Sequence, residues 1–177
     1  ARYQGGNIYW TSTTGAHEVH GAILTEFGNQ AGVNGVLKYP TSDTLTTSDG
    51  KARYGNFEQG RIYYRGSNGT FAVPQPYFAK HESIGGVHGI LGYPTSKVLT
   101  SSDQQSRYQN FQGGRIYKQG SRVVEIHGAV FTKHEALQGV HGPLGYPITD
   151  LKPAGDNRGK GQWFQNGFIW YSATTGA

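Results

Sequence analysis

The sequence predicts a mostly β protein with short helices, an α+β repeat protein. Its tandem units of about 54 residues each carry a hairpin, a return strand, a short helix and a Gly-Tyr-Pro loop, in a closed or strongly curved arrangement. Three observations predict it. The stretch Gly86-Val87-His88-Gly89-Ile90-Leu91-Gly92-Tyr93-Pro94-Thr95 returns at 139–148 and, more loosely, at 32–41, so that Pro40, Pro94 and Pro147 sit 54 and 53 residues apart. A second block, out of phase with the first, occurs four times, and its isoleucines Ile8, Ile62, Ile116 and Ile169 are spaced 54, 54 and 53 residues. The segment Ile8–Ala16 resembles Ile169–Ala177, so the chain begins and ends at the same phase, which suits a closed arrangement or an excerpt from a longer array.

The hairpin is read from Phe57-Glu58-Gln59-Gly60-Arg61-Ile62-Tyr63-Tyr64 and its counterparts at Tyr3, Phe111 and Phe164. The aromatic closes one strand, Gln59-Gly60 turns the chain with a glycine that supplies positive φ, and Arg61–Tyr64 runs back. Ile and the aromatics favour strands. Successive strand side chains face opposite sides, so Ile62 and Tyr64 share one face, assigned to the core, and Arg61 and Tyr63 the other. A return strand follows at Glu18–Gly21 or Val124–Gly128. Next comes a helix of two turns, in which Val130, Phe131, His134 and Leu137 fit i, i+3, i+4 spacing. Gly85-Gly86 or Gly139 ends it. The loop then holds the residue before each proline extended. Leu45, Leu99 and Leu151 recur beyond it and read as plugs under the loop. No unit can bury a core alone, so neighbours pack on one another. The whole chain, 1–177, reads as a single repeat domain with units near 3–56, 57–110 and 111–163 and a partial fourth at 164–177.

Composition supports a folded, turn-rich chain. There are 28 Gly and 7 Pro but also 12 Tyr, 8 Phe and 3 Trp, and a disordered chain would be poor in aromatics. With no cysteine there is no disulfide framework, thiolate metal site or cysteine nucleophile. No apolar run is long enough to span a membrane. The net charge of +5 favours anionic partners, acidic polysaccharide or cell wall among them, but the basic residues are dispersed and form no nucleic-acid type of cluster. Asn68-Gly69-Thr70 is an N-glycosylation acceptor pattern.

These motifs resemble the LGFP repeat family, whose signature joins a Gly-x-Leu-Gly-(Phe/Tyr)-Pro loop to a Phe-x-x-Gly-x-Ile-Tyr hairpin and a Gly-Ala-His-x-Val-x-Gly strand. Here the loop is Gly89–Pro94 and Gly142–Pro147, and the strand is Gly15-Ala16-His17-Glu18-Val19-His20-Gly21. Lys38 replaces the second loop glycine in the first copy and puts that glycine's service in doubt. The strand pattern is blurred at Val73-Pro74-Gln75 and Ser121-Arg122-Val123. The resemblance implies an extracellular, cell-wall-associated protein. Such repeats are typically appended to actinobacterial envelope enzymes, such as mycolyltransferases and wall amidases, so a fused or partner envelope enzyme is implied as well.

Aromatics recurring at the hairpin ends, Tyr9, Trp10, Tyr63, Tyr64, Tyr117, Trp170 and Tyr171, suit stacking on the apolar faces of sugars; the other reading of each is inter-repeat core. Arg61 and Arg115 suit anionic sugars, and the loop residues His88 and His141 complete the candidate set. The structural reading of a histidine here is a bond to loop backbone that holds the Gly-Tyr-Pro geometry. The seven histidines recur in copies that lie apart in an array, whereas zinc needs three or four ligands at one point, so no metal or other cofactor is expected. Acids recur singly, as Asp43 and Asp150, or as Asp49 and Asp103 with Asp156 near, in polar stretches where Asp favours turns, whereas a glycosidase needs two across one bond. No catalytic residue is assigned. The sequence therefore leads to a secreted, non-catalytic repeat module that binds polysaccharide through several weak sites, ahead of a protein-interaction or inhibitor module and of a cell-wall hydrolase.

Overall fold

A computed structural model describes residues 1–155, 158–174 and 176–177. The chain divides into two compact units, residues 1–79 with 94–97, and residues 80–93 with 98–177. Four antiparallel sheets carry the four copies of the hairpin.

In the first unit, strands β1 (Arg2–Tyr3), β2 (Gly6–Thr11) and β3 (Gly15–His20) form one sheet and lead into helix α1 (Gly21–Asn29). The second sheet has the order β4-β5-β6-β7, made of Leu45–Thr46, Arg53–Phe57, Gly60–Tyr64 and Thr70–Pro74. Helix α2 (Tyr77–Ser83) begins in this unit and ends in the next. In the second unit, β8 (Leu99–Thr100), β9 (Arg107–Phe111), β10 (Gly114–Gln119) and β11 (Arg122–His127) form the third sheet, followed by α3 (Gly128–Ala136). The last sheet is β12 (Lys152–Pro153), β13 (Lys160–Phe164) and β14 (Gly167–Tyr171). Every sheet is open and none closes into a barrel, so the expected closure has no counterpart within a sheet. Among the described residues no helix is long and apolar enough to cross a membrane.

The hairpin turn falls one residue earlier than the sequence suggests. Phe57 pairs with Gly60, so the turn residues are Glu58 and Gln59. The template glycine opens the return strand; at Gly60 it has the expected positive φ, 144°, and at Gly6 and Gly114 space alone fixes it. A Cβ on Gly114 would meet the Ile126 carbonyl oxygen at 2.1 Å, and one on Gly6 the Val19 oxygen at 2.9 Å, and neither glycine has positive φ. The neighbouring strand passes too close for any side chain.

Burial does not alternate along the strands. Ile62 and Tyr63 are both buried, as are Ile116 and Tyr117, because the sheets are covered on both faces. Helix α1 packs against its own β2 and β3 and against β6 and β7 of the next copy, and α3 likewise touches β10 and β11 and then β14. Each core is accordingly shared by two copies. One joins Val19, Ile23, Phe27 and Leu37 to Phe57, Ile62 and Ala72. The other joins Tyr117, Val124, Ile126, Val130 and Tyr146 to Phe164 and Ile169. Of the predicted plugs, Leu151 packs on the second core and Leu99 is half-buried, but Leu45 is exposed, on a two-residue edge strand with little above it.

Candidate functional site

The arginine of the template organises the polar side of each central hairpin. Asn110 and Arg115 oppose each other across β9 and β10, so Arg115 Nε donates to Asn110 Oδ1 at 2.7 Å. Its Nη1 donates to the Tyr117 hydroxyl at 2.6 Å, and Nη1 and Nη2 each reach one oxygen of Glu135 on α3 at 3.2 Å. The guanidinium lies 4.7 Å from the Tyr108 ring centroid, with Tyr117 and Phe131 at 5.4 and 5.3 Å, so cation–π attraction adds to a bidentate ion pair. Burial alone would lower the Arg115 pKa, but Tyr117 and Glu135 more than offset it and the value is raised. Burial pushes the Tyr117 hydroxyl up to about 12, so it stays a neutral phenol. Arg61 repeats the frame, donating from Nε to Asn56 Oδ1 at 2.6 Å and from Nη1 to Tyr63 at 2.9 Å, with its guanidinium over Tyr54 and Phe78.

Beside Arg115 opens a cleft of about 340 Å³, lined by Tyr108, Tyr117, Glu135, His141, Ser102 and neighbouring backbone. His141 is exposed at its rim, with Nε2 2.7 Å from the Ser102 hydroxyl. Three sequence candidates, Arg115, Tyr117 and His141, thus meet at one place. Glu135, Tyr108 and Ser102 complete it and are not in the sequence-derived set. Only Glu135 had a signal, since it lies one helical turn beyond Phe131.

The other candidates fall elsewhere. Tyr63, buried like Tyr117 at 1 % exposure, offers no open ring face. Tyr9 packs edge-on against Phe27, and Tyr64 and Tyr171 lean on the cores, consistent with the core reading of these three. Trp10 is exposed on β2. Trp170 is exposed too, in a shallow hollow of about 260 Å³ with Trp163 and Phe168, two residues missed although Phe168 stands where Arg61 and Arg115 do. His88 is exposed. The histidines that hold the loop are instead His81 and His134, fully buried on α2 and α3, whose Nε2 atoms donate to the carbonyls of Gly92 at 2.8 Å and Gly145 at 2.9 Å.

The acids are bound by backbone, as turn acids should be. Asp103 accepts from Ser101 Oγ at 2.6 Å, Tyr146 OH at 2.7 Å and the Gln105 amide, and the first two bonds hold its carboxyl at about 2. Asp49 accepts from Thr47 and Lys51 in the same way. Asp43 and Asp150 cap the amides of Glu18 and Glu125, whose carboxylates reach back to the amides of Thr44 and Leu151 and bond His20 and His127. Burial pushes the Glu18 carboxyl up, but the bonds from His20 and Thr44 outweigh it and the net shift is downward. Asp156 lies outside the described residues.

The LGFP repeat family model matches residues 1–35, 37–89, 91–142 and 144–177, four tandem copies that span nearly the whole chain. No curated protein matches it.

Proposed function

The chain belongs to the LGFP repeat family, and from that premise we propose that it is a secreted, non-catalytic module that binds cell-wall or related polysaccharide, with the Arg115 cleft as a sugar site. The observation that carries this reading is the charge balance of the cleft. The two Nη groups of Arg115 face both oxygens of Glu135, so the basic charge is compensated on the spot. A compensated pair rimmed by Ser102, His141 and the Tyr108 ring suits a neutral, hydroxyl-rich ring better than an anionic one. The anionic sugar expected from the template arginines gives way here to a neutral one. Weak sites on a repeat array would add on a polymer.

Sedimentation with insoluble wall polysaccharide tests this. The protein should leave solution, a soluble neutral sugar should release it, and moderate salt should not. Glu135→Ala should weaken retention about tenfold, ~1.4 kcal/mol, while the melting curve shows the variant folded. Release by salt alone would sink the neutral-sugar reading. Absence of retention on any wall preparation would favour the protein-interaction module, to which the exposed Trp163, Phe168 and Trp170 would then turn attention.

A further inference from the structure

One carboxylate arranges the junction of the first and second copies. Glu18 accepts from the Thr44 amide through Oε1 at 2.9 Å and from His20 Nδ1 through Oε2 at 2.5 Å. His20 Nε2 lies 2.6 Å from Arg53 Nη2. A guanidinium can only donate, so Nε2 accepts and Nδ1 carries the proton. Glu18 thereby fixes Thr44 and His20 directly and Arg53 through the imidazole.

His20, Thr44 and Arg53 line a hollow of about 200 Å³ with Tyr64 and the first residues of α1. It lies in the first unit, whereas the sugar cleft lies in the second. Its lining is rich in donors. Nη2 alone among the guanidinium nitrogens of Arg53 has a partner, and among the described residues no carboxylate pairs with this arginine. The opening amides of α1 have no intrahelical partner, no side chain caps them, and no acid stands in the first turn. The Thr44 hydroxyl oxygen is buried without a hydrogen-bond partner. The junction of the third and fourth copies repeats the frame, since Glu125 takes the Leu151 amide and His127 in the same way. There Leu151, which packs on the core, stands in the place of Thr44, and Lys160, paired with Tyr171 as Arg53 is with Tyr64, stands in the place of the arginine.

We propose that the hollow lined by Arg53, Thr44 and the start of α1 is a binding site for a carboxylate, separate from the sugar cleft. Arg53 offers its remaining N–H groups as a fork to the two oxygens. The α1 amides add donors and the positive end of the helix dipole, and the Thr44 hydroxyl completes the set. A carboxylate only accepts, which is what such a lining asks for, whereas a sugar hydroxyl must donate as well. Glu18 stands behind His20 and balances the arginine, so the site takes one negative charge rather than two. At Arg115 both Nη groups are already met by Glu135, so the two arginines serve different ligands. His20 is a positioning residue, with both ring nitrogens committed to Glu18 and Arg53. The volume admits a carboxylate with a few carbon atoms, carried by a free organic acid or by a uronic sugar.

The test titrates acetate and glucuronate at constant ionic strength into the full, isotope-labelled chain and follows the amide resonances of Gly21, Ala22 and Ile23, with glucose and chloride as controls. The acids should shift these amides saturably and the controls should not. Arg53→Gln should weaken binding at least ~10-fold. So should Thr44→Leu, which copies the junction of the third and fourth copies, while melting curves show both variants folded. Acetate bound as tightly as glucuronate identifies a free acid as the source, and tighter glucuronate a uronic sugar. Equal shifts with glucose or chloride, shifts that never saturate, or full binding in both variants overturns the proposal. None of these outcomes touches the neutral-sugar reading, which is tested on wall polysaccharide and at Glu135.

Discussion

The first Gly-Tyr-Pro loop and the two later ones run along the same backbone with different chemistry beneath. In the later loops the tyrosines Tyr93 and Tyr146 are buried and a buried histidine, His81 or His134, donates to the carbonyl of Gly92 or Gly145. In the first loop a phenylalanine, Phe27, fills the histidine's place and packs tilted on Phe57, where the histidines stack on Phe111 and Phe164. Lys38 stands where the glycines do, and keeps their left-handed backbone at φ 63° against 65° and 69°. Lys38 is exposed and Tyr39 only half-buried. The difference teaches where the histidine is needed. A buried carbonyl must find a donor in the protein, whereas one near the surface can take water. The loop glycine answers both a left-handed backbone, φ 69° at Gly145, and a close approach, since a Cβ there would meet Gln165 Oε1 at 2.5 Å.

The comparison can be broken most strongly at His134. His134→Ala should empty a stacked, fully buried site and orphan the Gly145 carbonyl, at a cost of about 3 kcal/mol in denaturant unfolding. His134→Phe, which copies the first loop, should cost only about 1–2 kcal/mol, because the ring remains and only the hydrogen bond is lost. If the two variants unfolded alike, the stacking would not matter. Gly145→Ala comes next, at about 1 kcal/mol for a left-handed residue, plus whatever Gln165 must yield.

The histidine also gives the later loop a pH response that the phenylalanine cannot. Burial holds the His134 pKa below its ordinary 6.5, against the opposing pull of the Gly145 carbonyl and Glu135. The unfolded chain therefore takes up the proton first. Stability from this residue is fully present above about pH 6.5 and falls as pH drops below it. Melting curves from pH 7.5 to 5 should slope less in His134→Phe than in the parent. The smallest effect is expected at Lys38→Gly, which relieves a left-handed lysine but frees the unfolded chain, for a net change within about 0.5 kcal/mol. A large loss there would mean that Lys38 does more than tolerate its conformation.

Much of the fold was legible. The period located the hairpins, return strands and helices within a few residues. The face assignment was not legible, because alternation presumes one wet face, and Tyr63 and Tyr117 are buried as Ile62 and Ile116 are. The sequence does not single out which histidines hold the loop. His88 and His141 sit inside the loop motif, but the ones that hold it lie on the preceding helix. Their alignment with Phe27 was the available sign, since a position that accepts phenylalanine in one copy is an interior one. At the cleft, Arg115, Tyr117 and His141 could be named from the repeat. Glu135 showed only through its helical spacing from Phe131, and Ser102 showed no signal, because only the fold brings it to the cleft.

The sharing of each core between two copies has a consequence for how such a chain can grow. Val36 and Ile90 stand 57 % exposed at the same point of successive loops. A duplication of the gene cut at those two codons would copy one sheet together with the helix that seats the next, and would join the pieces where little is packed. The chain could lengthen or shorten by whole copies with every interior contact inherited ready-made, and selection would be left to act on the seams.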